Sequence, residues 1–137
     1  MLEYSQANDL LIKEFDEMKT AYENDLEEYN DGDENSCYSL YGWEFLPYIV
    51  KHLEASDDKR LEKIFGFVER IHELGDDRLA NMVGVEIIEG LYFGGHCKTH
   101  REILQRFCGK KTLQSFLDSF EDYDPPLKDE WEKAASA

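Results

Sequence analysis

Cysteine is scarce in this sequence, and its spacing excludes a disulfide scaffold. The three cysteines, Cys37, Cys97 and Cys108, are an odd number, and they do not follow the spacing of a disulfide framework. Small secreted domains that depend on disulfides carry many regularly spaced cysteines, whereas unpaired thiols are typical of a reducing compartment. The cysteine content therefore favours an intracellular protein that folds without covalent cross-links.

Long apolar runs are also absent. No window approaches the roughly 18 uninterrupted apolar residues that indicate a membrane-spanning helix. The segment 1–15, MLEYSQANDLLIKEF, has neither a basic stretch nor a long apolar stretch, so we expect no signal peptide. These absences, together with the free cysteines, predict a soluble cytoplasmic protein that has no membrane partner.

Basic residues are outnumbered by acidic ones. Lys and Arg total 15 against 31 Asp and Glu, which gives a formal net charge of −16. Residues 1–37 alone hold 12 acidic and 2 basic residues. Such a surface repels the phosphates of nucleic acids and anionic lipids, and it accelerates encounter with a basic protein. We therefore expect a basic protein partner and no nucleic acid, although acidity that serves only solubility is the competing interpretation.

Catalytic and metal-binding signatures are missing as well. His96, Cys97, His100 and Cys108 are zinc-ligand types, but they lack a C-x-x-C pair and Cys108 lies more than two helical turns away. The run 31–35, DGDEN, has only part of the calcium-loop order. We therefore expect no metal, no cofactor and no catalytic residue.

A reactive Cys97 beside His96 and Lys98, or a carboxylate pair formed by Glu86 and Glu89, would be the basis of an enzymatic alternative.

The stretch Leu79–Phe93 is the most apolar part of the chain. Its apolar residues occupy most of a helical wheel, which is typical of a helix that is covered on most sides. Glu86 and Glu89 lie on a narrow opposite strip. The same stretch alternates like a strand, but Glu89 would then lie on the apolar face and no partner strand is evident. We predict that residues 79–93 form a buried central helix.

The remaining apolar periodicity predicts an all-α fold with five to six helices in one domain, residues 1–137. Short connections make consecutive helices antiparallel, in an arrangement that resembles a short α-solenoid. Residues 1–37 would form a strongly acidic helix and loop, and residues 125–137 a short tail with one apolar anchor, Trp131. The other predicted helices cover residues 6–23, 40–53, 56–74, 99–109 and 111–120.

The order of these segments resembles that of a known family. An acidic helix is followed by the segment 45–50, FLPYIV, by the capped segment 61–69, LEKIFGFVE, by helix 83–91 and by a C-terminal helix pair. Over about residues 40–120, this order is similar to the small all-helical immunity proteins of bacterial toxin–immunity systems, including contact-dependent growth inhibition. The resemblance implies a cytoplasmic protein that neutralises one cognate toxin domain, often a nuclease.

The uneven charge predicts where such a partner would bind. Acidic residues flanked by tyrosines can steer a cationic protein and then provide rigid contact area. A second acidic surface would come from the starts and ends of later helices. The predicted partner-binding residues are Tyr29, Asp31, Asp33, Glu34 and Tyr38, followed by Asp76, Asp77, Glu121 and Asp122.

The sequence also allows a second binding function. An acidic helical adaptor or regulator would dock a basic partner through the same surface without inhibiting an enzyme. Composition and charge do not separate the two, because both functions need the same complementarity.

Overall fold

Helices form almost all of the regular structure in the computed structural model, which describes residues 1–24, 26–27 and 35–137. The all-α prediction is confirmed, but counted as continuous rods the described residues form nine helices, where the periodicity predicted five to six. Two of these rods each contain two α-helices joined by a π-helical segment, so eleven α-helices are labelled: α1 (Ala7–Glu14), α2 (Asp16–Asn24), α3 (Ser36–Leu40), α4 (Leu46–Ala55), α5 (Asp58–Leu74), α6 (Asp77–Val83), α7 (Gly90–Phe93), α8 (His96–Thr99), α9 (Arg101–Phe107), α10 (Lys110–Tyr123) and α11 (Pro125–Ser136).

The predicted first helix is divided at Phe15. This residue has extended backbone angles, φ −129° and ψ 103°, so α1 and α2 are separate helices. Its ring is fully buried, and it packs edge-on against Phe67 with 5.6 Å between ring centroids. The break therefore lets an aromatic side chain reach the core from the junction between two short helices.

The segment Ser36–Ala55 is one rod with a π-helical turn in its middle. The π-helical part, Tyr41–Phe45, joins α3 to α4, and Pro47 lies in the first turn of α4. Tyr41 and Phe45 face the core, whereas Trp43 between them is 59% exposed. The apolar character of Trp43 predicts that it is buried, and that prediction is wrong, because its side chain lies on the side of the rod away from Tyr41 and Phe45.

The prediction of a helix from Ser56 to Leu74 is confirmed, with one correction to its start. The cap is Asp57, whose side chain accepts a hydrogen bond from the Arg60 backbone N–H, while Ser56 adopts a left-handed conformation at φ 52°. Helix α5 then ends before Gly75, as predicted. It buries a continuous apolar stripe, which consists of Leu61, Ile64, Phe65, Phe67, Val68 and Ile71.

The central apolar stretch forms a rod from Asp77 to Phe93, which confirms the helical interpretation over the strand. Its middle, Gly84–Glu89, is a second π-helical segment between α6 and α7. The apolar side is fully buried and consists of Leu79, Met82, Val83, Ile87, Ile88 and Leu91. The neighbouring rod approaches closely at Gly90, where an added Cβ would lie 2.7 Å from a Leu46 methyl carbon.

The C-terminal part contains more helix than the sequence predicted. The predicted helix over residues 99–109 corresponds to α9, a further short helix, α8, precedes it, and residues 125–136 form a docked helix, α11. Trp131 of α11 is 1% exposed, and its indole N–H donates to the Cys97 carbonyl oxygen at 3.0 Å. No helix of the described residues is long and apolar enough to cross a membrane.

Candidate protein-binding surface

A groove runs between the central rod and α10. Its volume is about 480 Å³. Among the residues that the structure describes, three carboxylates line it, those of Glu89, Asp118 and Asp122, against the single ammonium group of Lys111. The remaining lining is small or polar and consists of His72, Ala80, Asn81, Gly84, Val85, Gln114, Ser115, Ser119 and Tyr123. The groove is therefore a shallow acidic recess, and its small residues leave room for side chains of another protein.

An aromatic ridge borders this groove. The ring centroids of Phe93 and Tyr123 lie 5.1 Å apart, and Tyr92 stacks on Tyr123 at 5.9 Å. Phe93 is 64% exposed and Tyr123 is 51% exposed. A smaller recess of about 210 Å³ lies beside the ridge and is lined by Tyr92, Phe93 and Asp124 among others. Exposed aromatic rings that lie between two recesses are typical of a surface that contacts another protein.

Two tyrosine hydroxyls hold the ridge to the acidic residues around it. Tyr123 donates a hydrogen bond to the Glu89 carboxylate at 3.1 Å, which links α10 to the central rod. Tyr92 donates to the Asp124 carboxylate at 3.4 Å. These bonds restrict the aromatic rings before any partner binds, and restricted side chains lose less entropy on binding.

Glu86 lies on the other side of the central rod, against Gly42 of the neighbouring rod. Its carboxylate occupies the space that a side chain at position 42 would need. Burial raises the pKa of Glu86. Within the described residues it makes no hydrogen bond and no ion pair, so its loss of hydration is not compensated.

The structure separates the predicted partner-binding residues. Asp122 lines the groove, and Asp77 and Glu121 are exposed at the start of α6 and on α10. Tyr38 is half-buried and packs against Tyr4, with ring centroids 6.5 Å apart. The other four, Tyr29, Asp31, Asp33 and Glu34, lie outside the described residues.

Asp76 has a structural role in the folded chain. One carboxylate oxygen caps α6 by accepting the Leu79 backbone N–H at 2.8 Å, and the other accepts the Tyr4 backbone N–H at 2.9 Å. The bonds from Leu79 and Tyr4 hold the pKa of Asp76 below its usual range. Because both oxygens are occupied, this carboxylate fastens the N-terminal segment to α6.

Three residues of this surface, Asp118, Phe93 and Tyr123, are not among the predicted partner-binding residues. The signal that the sequence does contain is the polar strip of the central helix, to which Glu86 and Glu89 belong. The groove itself depends on how α10 lies beside that strip, and periodicity along one helix does not contain this information.

The cysteine and histidine cluster is largely buried. Burial raises the pKa of the Cys97 thiol to about 12, and it also raises the pKa of Cys108. His96 and His100 stack with 5.8 Å between ring centroids. No group of three or more His, Cys, Asp or Glu side chains in the described part of the chain is arranged to hold a metal ion. That the protein binds no metal remains a prediction.

Glu69 ties α5 to the start of α10, next to the groove. Its carboxylate accepts the backbone N–H groups of Lys111 at 3.1 Å and Thr112 at 2.8 Å, and also the Thr112 hydroxyl at 2.8 Å. The cap position of α10 is Gly109, which has no side chain to perform this role. An added Cβ at Gly109 would collide with Glu69, so the glycine makes room for a cap from another helix.

This cap predicts a pH-dependent contribution to stability. Burial alone would raise the pKa of Glu69, but hydrogen bonds from Thr112 and Lys111 outweigh it and lower the pKa below 4.5. The cap is therefore fully stabilising above pH 4.5 and is lost as the pH falls through the lowered pKa. We expect Glu69→Gln to cost about 1–3 kcal/mol of unfolding free energy at pH 7.

Urea unfolding of wild type and Glu69→Gln between pH 7 and pH 3 measures this contribution. The difference between them should shrink below pH 4.5, whereas Glu62→Gln, an exposed position on the same helix, should match wild type throughout. Burial also lowers the pKa of His72 below 6.5, so both proteins should lose stability as the pH falls below that value. A difference that stays constant with pH would contradict the assigned cap.

Comparison with known proteins places most of the chain in one family. Residues 8–125 match the family described as Domain of unknown function (DUF7674), and the chain belongs to that family. No curated protein and no solved structure matches the chain significantly. The matched region contains the central rod and α10, and thus both sides of the groove.

Proposed function

We propose that this protein is an immunity protein that binds and neutralises a cognate bacterial toxin domain, a basic nuclease, through its acidic surface. The observation that carries the proposal is the groove, where three carboxylates outnumber one lysine beside an exposed aromatic ridge. The net charge of −16 makes the whole molecule electrostatically complementary to a basic partner. The resemblance in helix order to small helical immunity proteins supplies the toxin as the class of partner.

A nuclease is the toxin class that best fits an acidic inhibitor. Nucleases need cationic surfaces for the phosphates of their substrates, and a protein with dense carboxylates can occupy the same surface. Opposite charge speeds encounter, and aromatic side chains at the centre of an interface then slow dissociation. The groove and the aromatic ridge provide both features on adjacent elements.

The proposed role is binding and not catalysis. The groove contains His72 and two serines, but the Nδ1 atom of His72 lies 3.0 Å from the Val68 carbonyl oxygen, and neither Ser115 nor Ser119 is hydrogen-bonded to the ring. The thiols of Cys97 and Cys108 are buried and their pKa values are raised, which opposes thiolate chemistry. In this proposal the protein acts by binding its partner, through the shape and the charge of its surface.

The decisive experiment expresses the protein together with the product of the directly upstream open reading frame. We expect that product to arrest growth when expressed alone, and co-expression to restore growth and yield a stable complex in a pull-down. A complex without restored growth would favour an adaptor that docks a basic protein without inhibiting it. Growth arrest with neither rescue nor complex would reject the immunity function.

A further inference from the structure

Glu86 is an uncompensated carboxylate at a close approach between the central rod and the rod that contains Gly42. Its side chain is half-buried over Gly42, and it has no hydrogen-bonding or ionic partner among the described residues. Partial burial of a charge without a partner costs free energy, and a fold gains nothing from it. A cation supplied from outside would remove this cost.

The backbone around Glu86 is unusual in the same place. Glu86 belongs to one π-helical segment, Gly84–Glu89, and Gly42 belongs to the other, Tyr41–Phe45. The two rods approach closely again one turn later, where Gly90 meets Leu46. π-Helical turns are rare and are frequent at functional sites. The two π-helical segments face each other, and the Glu86 carboxylate lies in a notch between them. The notch is open because residue 42 is a glycine.

Each wall of this notch has an exposed apolar side chain next to it in the sequence. Trp43, which directly follows Gly42, is 59% exposed, and Val85, which directly precedes Glu86, is 40% exposed. A recessed charge near an exposed tryptophan has the composition of an interface hot spot.

We propose that the Glu86 carboxylate receives a cationic side chain, an arginine or lysine, of the basic protein partner. This inference rests on the proposed function, because it assigns an anchoring contact to the same basic partner on the side of the central rod that faces Gly42. The bond forms in a partly dehydrated notch, where a charge pair is stronger than on open surface. The exposed ring of Trp43, next to Gly42 in the sequence, provides apolar contact area for the same partner.

Two substitutions test the notch in different ways. Glu86→Gln keeps the shape of the side chain and removes its charge. Gly42→Ala keeps the charge and places a methyl group where the carboxylate lies, which forces the carboxylate out of the notch. The fold should tolerate Gly42→Ala, because the colliding atoms are the end of a flexible side chain and alanine favours helix. Gly66→Ala is the matched control, since an added Cβ there meets nothing within 4 Å.

The probe is a short peptide that does not depend on finding the toxin. The side-chain carboxyl carbon of Glu86 is followed by NMR during titration with acetyl-Gly-Arg-Gly-amide, and with the same peptide carrying neutral citrulline. We expect a saturable shift with the arginine peptide in wild type and Gly66→Ala, and none with citrulline. In Gly42→Ala the apparent affinity should fall about tenfold or more. A shift at Glu86 no larger than that of exposed Glu62 would overturn the proposal.

The toxin complex provides the second measurement. Glu86→Gln should weaken the complex about tenfold or more, whereas Glu62→Gln should leave it unchanged. An intact complex with Glu86→Gln would overturn the anchor and leave the immunity function standing. Absence of any toxin complex, with the peptide titration as expected, would overturn the immunity function and leave the cation notch standing.

Discussion

Replacing Trp131 by alanine is expected to lower the free energy of unfolding by about 3–5 kcal/mol. The indole ring packs between helices, with centroid distances of 5.3 Å to Phe116 and 4.9 Å to Phe120. Its N–H satisfies the carbonyl oxygen of Cys97, which would be left without that bond. The loss is a large part of the roughly 5–15 kcal/mol that stabilises an ordinary domain.

Urea unfolding followed by far-UV circular dichroism measures the effect of Trp131→Ala. Trp131→Phe is the matched control, because it keeps an aromatic ring and removes only the indole hydrogen bond and part of the volume. It should cost about 1–2 kcal/mol. If Trp131→Ala costs less than about 1 kcal/mol, α11 does not dock in solution as the structure shows.

The long helices could be predicted because a helix with a buried face has apolar residues at helical spacing in its sequence. Helix α5 repeats apolar residues at helical spacing from Leu61 to Ile71, and Gly75 directly follows its last residue. The central rod is apolar on most sides because Val83, Ile87 and Leu91 face a core that surrounds it. Periodicity reports the environment of each side chain, so these elements and their apolar faces could be predicted.

Local departures from regular helix were not predictable from the same pattern. A π-helical turn adds about one residue to the turn, and the helical wheel then assigns the following side chains to the wrong side. Apolar character alone also misleads at Trp43, where it suggested burial, whereas the structure exposes this side chain on the side away from Tyr41 and Phe45. The division of the first helix at Phe15 has a similar cause, because the extended residue keeps its aromatic ring in the core.

The candidate surface was predicted only in part. Charge counting identified the acidic character of the chain, and it named Asp122, which lines the groove. It also named Asp76, whose carboxylate is occupied by two backbone N–H groups from different segments. A sequence shows that a carboxylate is present, but only the packing of helices shows whether its oxygens are free for a partner.

The largest effect on partner binding is expected from neutralising the carboxylates of the groove. The groove variant removes three negative charges through Glu89→Gln, Asp118→Asn and Asp122→Asn. A second variant removes three charges from the acidic N-terminal part through Asp31→Asn, Asp33→Asn and Glu34→Gln. Both variants change the net charge by the same amount. A difference between their binding rates therefore shows which of the two sites contacts the partner. A control variant changes three exposed carboxylates elsewhere through Glu62→Gln, Asp129→Asn and Glu130→Gln.

Stopped-flow association with the toxin at low and high salt separates steering from contact. Residues that only steer act over a distance comparable to the Debye length, so the N-terminal variant should associate more slowly, with a flatter salt dependence and an unchanged dissociation rate. Residues that contact the partner also hold the complex together. The groove variant should therefore associate more slowly and, in addition, dissociate about tenfold faster or more, because substitutions in an interface act mainly on dissociation.

The control variant measures how much a change in net charge alone alters the rates of association and dissociation. If it slows association as much as the other two, the acidic surface acts as a uniform field and neither site is special. If the groove variant dissociates at the wild-type rate while the N-terminal variant dissociates faster, the contact surface lies at the N-terminal acidic segment. Faster dissociation confined to the groove variant would place the partner between the central rod and α10, where Tyr123 already holds Glu89 in position.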